Sequence, residues 1–311
     1  MSSDLIQAIR AQSKISISQA ISLIENKRDA GSKLLSNLFQ YTGHAYRIGI
    51  TGPPGSGKSS LTDNLIAAFR KEDKTVAVIA VDPTSPFSGG AVLGDRIRMA
   101  THHTDPHVFI RSMATRGGQG GLAMRTEEVG EIFDAAKFDI IIYETVGVGQ
   151  IELDIIQAAD SVIVVLVPES GDEVQMLKAG LMEIGNIFAL NKSDRPGANK
   201  LMITLKNLLS TMTIDEDTWK PEVIHTIATE GKGTDELLKN INSHQSFNNS
   251  KGIYRQKFED RYKQSVNAII NEEFQNNFWD EVKKALFKSE VQKDHKDRMS
   301  PYLLARKLLK I

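Results

Sequence analysis

Gly52-Pro53-Pro54-Gly55-Ser56-Gly57-Lys58-Ser59 decides the fold. The stretch matches G-x-x-x-x-G-K-[ST] and stands in the context that pattern requires. A β-type run, Ile48-Gly49-Ile50, precedes it, and an amphipathic helix carrying Leu61, Leu65, Ala68 and Phe69 follows. The glycines let backbone N–H groups turn inward around phosphate oxygens, and the N-terminus of the following helix adds partial positive charge. Lys58 is expected to bridge β- and γ-phosphate oxygens, and the Ser59 hydroxyl to ligate Mg²⁺, with Ser60 completing the nucleotide-binding stretch. A glycine-rich turn with a helix cap is the plainer reading; the strand and helix flanks argue against it.

Outward from this loop, short β-branched runs alternate with longer amphipathic segments. Strands are expected at 49–51, 76–81, 108–111, 140–143, 162–167, 187–191 and 223–227. Runs such as Val162-Ile163-Val164-Val165-Leu166-Val167 are apolar on both faces, as in a parallel sheet covered above and below. Segments 60–71, 121–136 and 172–182 fit crossover helices. The expected fold class is therefore α/β, a doubly wound, mostly parallel sheet of the SIMIBI-like P-loop type, with helical extensions at both ends.

Three regions are expected. Residues 1–45 form an N-terminal helical extension, with Ile15, Ile17, Ala20, Ile21 and Ile24 at helical spacing, and 46–242 form the nucleotide-binding domain. Residues 252–311 form a C-terminal helical region after an Asn/Ser-rich stretch, 242–251, that reads as a solvated linker. Helices are expected at 254–286 and 301–311. Phe258, Tyr262, Val266, Ile269, Ile270, Phe274, Phe278 and Trp279 make an apolar face that needs a cover, either the main domain or another subunit.

The 311 residues include 38 basic and 39 acidic ones, a formal charge of −1, so nothing global draws the chain to nucleic acid or an anionic membrane. The absence of cysteine excludes disulfides and thiolate chemistry. No secretory leader pattern and no run near about 18 apolar residues is found, so the expectation is a cytoplasmic protein outside the membrane.

Asn191-Lys192-Ser193-Asp194 follows the apolar run Ile187-Phe188-Ala189-Leu190, where an N-K-x-D guanine reader should stand. A carboxylate at Asp194 accepts both N1–H and the 2-amino group of guanine, a pair adenine cannot offer, so GTP and GDP are expected over adenine nucleotides. Asp82, Asp95 and Glu144 stand where strands end or loops follow, and join Ser59 as candidate magnesium ligands. Each acid could instead cap a helix or turn. Glu144-Thr145-Val146-Gly147 occupies the place of a D-x-x-G switch, with the Gly147 N–H aimed at the γ-phosphate.

Val81-Asp82-Pro83-Thr84-Ser85-Pro86, Gly89-Gly90 through Leu93-Gly94-Asp95-Arg96, Arg116-Gly117 before Gly120-Gly121-Leu122, and Glu144 through Gln150 resemble the MeaB/ArgK G-proteins. That family includes the mitochondrial methylmalonic aciduria type A protein. The resemblance implies a GTPase chaperone for an adenosylcobalamin-dependent acyl-CoA mutase, such as methylmalonyl-CoA mutase, and a homodimer built through the C-terminal arm. It implies that Ser59, Asp82, Asp95 and Glu144 form the magnesium site, that Arg98 assists hydrolysis, and that Gly171 to Lys178 is a switch coupling nucleotide to mutase. The family's usual Ser-Ala beside the base is Ile227-Ala228 here, which removes a hydroxyl and leaves the Ala228 N–H for guanine.

Phosphoryl transfer asks mainly for positioning and charge neutralisation, supplied by Lys58, Mg²⁺ and the loop N–H groups. Gln150 and Glu144 are both candidates for orienting the attacking water, and Arg98 for reaching the γ-phosphate, or else forming a surface ion pair. His102, His103 and His107 invite a metal reading, but with no cysteine to join them a solvated loop is favoured. Two further functions stay open at this level: a metallochaperone GTPase, and a nucleotide-dependent interaction module with negligible hydrolysis.

Overall fold

Seven short runs dominated by apolar and β-branched residues assemble into one all-parallel sheet. The computed structural model describes residues 3–26, 28–82, 100–102, 104–114, 119–145, 156, 158–170, 180–211 and 218–310. The strands are β1 (Tyr46–Thr51), β2 (Val76–Asp82), β3 (Val108–Ala114), β4 (Ile140–Thr145), β5 (Ser161–Leu166), β6 (Ile187–Leu190) and β7 (Glu222–His225), in the spatial order β3-β2-β4-β1-β5-β6-β7. The chain leaves β1 toward one edge, returns through β4, and then builds the other half outward from β5. All strands share a direction, so all carboxyl ends meet on one rim.

Alternation along the strands supplies two cores. Ala77, Ile79, Val81, Ile141, Tyr143, Val162, Val164 and Leu166 face one side. Val76, Val78, Ile140, Ile142, Ile163 and Val165 face the other. The first side is covered by α1 (Ser3–Arg10), α2 (Lys14–Asn26), α3 (Arg28–Leu38), α5 (Gln119–Ala135), the single turn α6 (Leu181–Ile184) and α7 (Ala198–Thr211). The second is covered by α4 (Lys58–Lys71) and α8 (Thr234–Ser250). Arg28 to Glu128, at 2.5 Å, and Arg111 to Glu25, at 2.6 Å, tie the N-terminal helices to α5 and β3.

The amino ends of the strands are held by buried polar groups. Asp134, 1% exposed, accepts the N–H groups of Gly43, His44 and Ala45 at 2.9, 3.0 and 3.1 Å and lies 3.3 Å from Arg47 Nη2. Arg47 also reaches Glu131 Oε1 at 2.7 Å. Burial alone would weaken this guanidinium's hold on its proton, but Tyr143, Glu131 and Asp134 outweigh it and keep Arg47 charged.

The stretch 242–251 is helix rather than linker. α8 runs through it to Ser250, with His244 and Asn248 buried against the sheet. Ser161 Oγ lies 2.5 Å from His244 Nδ1 and 2.6 Å from the Tyr46 hydroxyl, and Asn248 Nδ2 donates to Asp160 O at 3.2 Å. Trp219 closes over His244 edge-on at 4.7 Å. The polar composition mixes buried residues that saturate strand ends with outward serines bonded to carbonyls one turn back, such as Ser243 to Lys239 O and Ser246 to Asn242 O.

The chain divides into two compact units, Met1–Phe258 and Glu259–Ile311, and α9 (Ile253–Phe278) begins in the first and ends in the second. In the first unit, Tyr254 donates to Ala45 O at 3.0 Å and Lys257 to Asp160 O at 2.8 Å. The second adds α10 (Glu281–Val291) and α11 (Pro301–Leu308). The helix expected to run to residue 286 breaks after Phe278 because Asp280 caps α10 through a 2.8 Å bond from the Lys283 N–H. Tyr262, Val266, Ile269, Ile270 and Phe274 are exposed along α9. Among the described residues no helix is long and apolar enough to cross a membrane.

Asp134→Ala strands three backbone donors and removes one of Arg47's carboxylates, so urea unfolding should report a loss of about 3–5 kcal/mol, with Asp134→Asn recovering part of it. Burial, with Lys257 nearby, holds the His244 imidazole down at about 3. The unfolded chain therefore binds the extra proton, and the stability from this group is whole above its ordinary value near 6.5 and is lost as pH falls toward 3. The urea midpoint of His244→Gln should fall less between pH 7 and pH 5 than that of the unaltered chain.

Candidate nucleotide site

The loop 52–57 stands at the carboxyl end of β1, in the crevice between the two halves of the sheet, where ligands of open α/β folds bind. Two of its glycines are required by close approach. A Cβ on Gly52, at φ 145°, would sit 2.2 Å from Val165 O of neighbouring β5. One on Gly57, at φ 90°, would sit 2.3 Å from Asn191 Nδ2. Ser56 N–H donates to Pro53 O at 3.2 Å, which bends the loop back toward the start of α4. No side chain caps α4 and its first turn holds no acid, so its leading N–H groups suit an anion.

Lys58 is buried in the loop, its ammonium donating to Gly52 O at 2.8 Å and Pro53 O at 3.0 Å. Ser59 donates its hydroxyl to Glu144 Oε1 at 2.6 Å, with both residues buried. A hydroxyl and a carboxylate in contact at the end of the P-loop are hard oxygen donors that fit Mg²⁺. Asp82 closes β2 beside β4, one register position beyond Val81 opposite Thr145. Pro53, Pro54, Gly55 and Ser60 lie on the loop and first turn as expected.

Asn191 joins the loop to the turn at residues 226–228. Buried at the end of β6, it donates from Nδ2 to Ser56 O at 2.8 Å and accepts at Oδ1 from Ala228 N–H at 3.0 Å and Thr226 Oγ1 at 3.3 Å. Lys192 takes the left-handed region, φ 54°, and turns the chain so that Ser193 N–H and Oγ both reach Thr226 O. Asp194 is exposed on this turn. Arg195 pairs with Glu169, and that hydrogen bond, then the two nearby acids Glu169 and Asp194, raises its pKa.

The Ala228 N–H, expected to be available for guanine, is already donated to Asn191. The amide oxygen of Asn191 takes both Thr226 and Ala228 as donors. The Ala228 carbonyl accepts from Asn64 Nδ2 at 2.7 Å. Neither Asn64 nor Thr226 was marked by any motif; each is found only through the partner it touches.

Asp95, Arg98, Gly147 and Gln150 lie outside the described residues, as do the 83–96 and 171–178 segments, Arg116-Gly117 and His103. His102 Nε2 is 3.2 Å from Asp63 Oδ1, and His107 N–H donates to Asp105 Oδ1 at 2.8 Å. Among the described residues no group of three or more His, Asp or Glu side chains is arranged to hold a metal ion.

The family model described as methylmalonyl Co-A mutase-associated GTPase MeaB matches residues 17–283. A Pyrococcus abyssi relative is 43% identical over 313 residues, covering 100% of this chain and 96% of its own. The Escherichia coli GTPase ArgK is 34% identical over 239 residues, 75% of this chain and 72% of that protein. The mitochondrial methylmalonic aciduria type A homolog of Caenorhabditis elegans is 32% identical over 255 residues, 76% of this chain and 64% of that protein. A crystal structure described as an LAO/AO transport system kinase superposes with a TM-score of 0.73 at 24% identity, covering 99% of this chain and 96% of that one, which shows the shared fold. With its phosphate loop, Asn191 joint and parallel sheet in place, the chain belongs to the MeaB family of GTPases.

Proposed function

We propose that this GTPase serves an adenosylcobalamin-dependent acyl-CoA mutase, loading or protecting its cofactor in step with the state of the bound guanine nucleotide. The match to a family described as mutase-associated carries this reading. The geometry supports a nucleotide-sensing role, because Glu144 touches Ser59 and is followed directly by the 145–150 segment.

GTP would draw Lys58 from the Gly52 and Pro53 carbonyls to phosphate oxygens, a short rotation of a flexible side chain. The loop and α4 N–H groups would hold the β-phosphate, and Asp194 would take the guanine edge. Ser59 and Glu144, with Asp82 and Asp95, would hold Mg²⁺, which when bound supplies neutralisation of phosphate charge. Glu144 or Gln150 would orient the water, Arg98 would approach the γ-phosphate, and Gly147 would report its presence. We further assign the apolar side of α9 to a second copy of the chain, with Tyr262, Ile269, Ile270 and Phe274 exposed for that contact.

Asp194→Asn should weaken GTP binding by on the order of a hundredfold and admit xanthosine triphosphate, read by fluorescence competition. Unchanged preference would remove the base-reader assignment. Intrinsic phosphate release should be slow and should rise when the cognate mutase is added, because in such switches a partner orders the loops. Pull-downs of the full chain with candidate acyl-CoA mutases, in GDP and in a non-hydrolysable GTP analogue, test the partner. Equal and negligible capture in both states, together with turnover unaffected by any mutase, would overturn the proposal.

A further inference from the structure

Ala228 is the point where the base reader and the phosphate helix are fastened together. Its N–H donates to Asn191 Oδ1 at 3.0 Å and its carbonyl accepts from Asn64 Nδ2 at 2.7 Å. Both peptide planes flanking Ala228 are thereby fixed by side chains from outside its own turn. The turn is otherwise closed locally: Ile227 N–H donates to Lys232 O at 3.0 Å, and Glu230 N–H to Ile227 O at 2.9 Å. Asn64 belongs to α4, the helix that begins at Lys58, so this bond ties the Ala228 turn to the helix that follows the phosphate loop.

Guanine carries its O6 next to N1. Once Asp194 holds N1–H and the 2-amino group, O6 faces the neighbouring wall and needs a donor there. Ala228, 8% exposed, keeps its backbone N–H on Asn191 Oδ1, so an O6 at that wall would share this donor or take it over. Swinging this peptide away from the pocket would drag the following carbonyl off Asn64. We propose that Asn64 is a positioning residue for guanine recognition: by holding the Ala228 carbonyl from α4, it fixes the residue whose N–H, donated to Asn191, O6 of the base shares or takes over. This rests on the assignment of Asp194 as the guanine reader and adds to it a residue from the phosphate-binding helix. Asn64 touches neither base nor phosphate in this role.

The test compares GDP with 6-thio-GDP, which keeps N1–H and the 2-amino group but replaces O6 with a poor acceptor. Dissociation constants are measured by calorimetry for the full chain and for Asn64→Ala and Asn64→Asp, the second preserving side-chain size if the first fails to fold. The unaltered chain should prefer GDP. Both variants should lose about fivefold to tenfold in GDP affinity while 6-thio-GDP changes by less than about twofold, so the preference collapses. Equal weakening of both nucleotides would mean that Asn64 merely braces the fold, and unchanged GDP affinity would mean that it does nothing for the base; either overturns the proposal. A lack of GDP preference in the unaltered chain also overturns it, and if Asp194→Asn still admits xanthosine nucleotides, the base reader survives that failure.

Discussion

The Asn191 side chain is the joint on which the site depends. One amide group, on the residue that directly follows β6, donates to the phosphate loop at Ser56 O and accepts from the Ala228 turn. A buried amide of this kind is costly unless every polar atom finds a partner, and here the partners come from two segments far apart in the chain, the phosphate loop and residues 226–228. That requirement holds the loop close enough to touch Gly57 and leaves no space for a Cβ. The parallel sheet brings those segments together, because a common strand direction puts the carboxyl ends of β1, β6 and β7 on the same rim.

The two rims of the sheet carry different burdens. At the amino ends, Asp134, Arg47, Tyr46, Ser161 and His244 bind buried backbone and one another, an arrangement that makes rigidity. At the carboxyl ends, the Lys58 ammonium is held by the loop carbonyls and the Ser59 hydroxyl by Glu144. Polar burial in the first place fixes architecture. In the second it orders the charged and hydroxyl side chains at the end of the phosphate loop.

Much of this was legible in the residues. Val162 to Val167 and Ile140 to Tyr143 announce strands buried on both faces because no polar side chain interrupts them, and Gly52 to Ser59 names its own ligand class through spacing. The C-terminal end of the first unit was not legible. Asn242 to Lys251 has the composition of a linker, yet composition averages over the faces of a helix and cannot show that His244 and Asn248 turn inward while Ser243 and Ser246 turn out. Asn64 escaped notice for a related reason: its role is set by contact with Ala228, 164 positions away. The same applies to the Ala228 N–H, whose acceptor is decided by the rotamer of Asn191 rather than by its own neighbours.

The register of β1 has a consequence for how the protein comes into being. This strand pairs with Tyr46 opposite Ile140 on one side and Ile48 opposite Ser161 on the other, so both its neighbours are synthesised long after it. The glycine of the loop that follows lies against Val165, and its amide partner Asn191 comes later still, itself completed by Ala228. During translation the nucleotide loop is thus among the first parts of the sheet to leave the ribosome and among the last to acquire its surroundings. A nascent chain arrested before residue 228 has the complete motif as sequence and an incomplete pocket as structure, and pairings this distant in sequence favour slow, late closure.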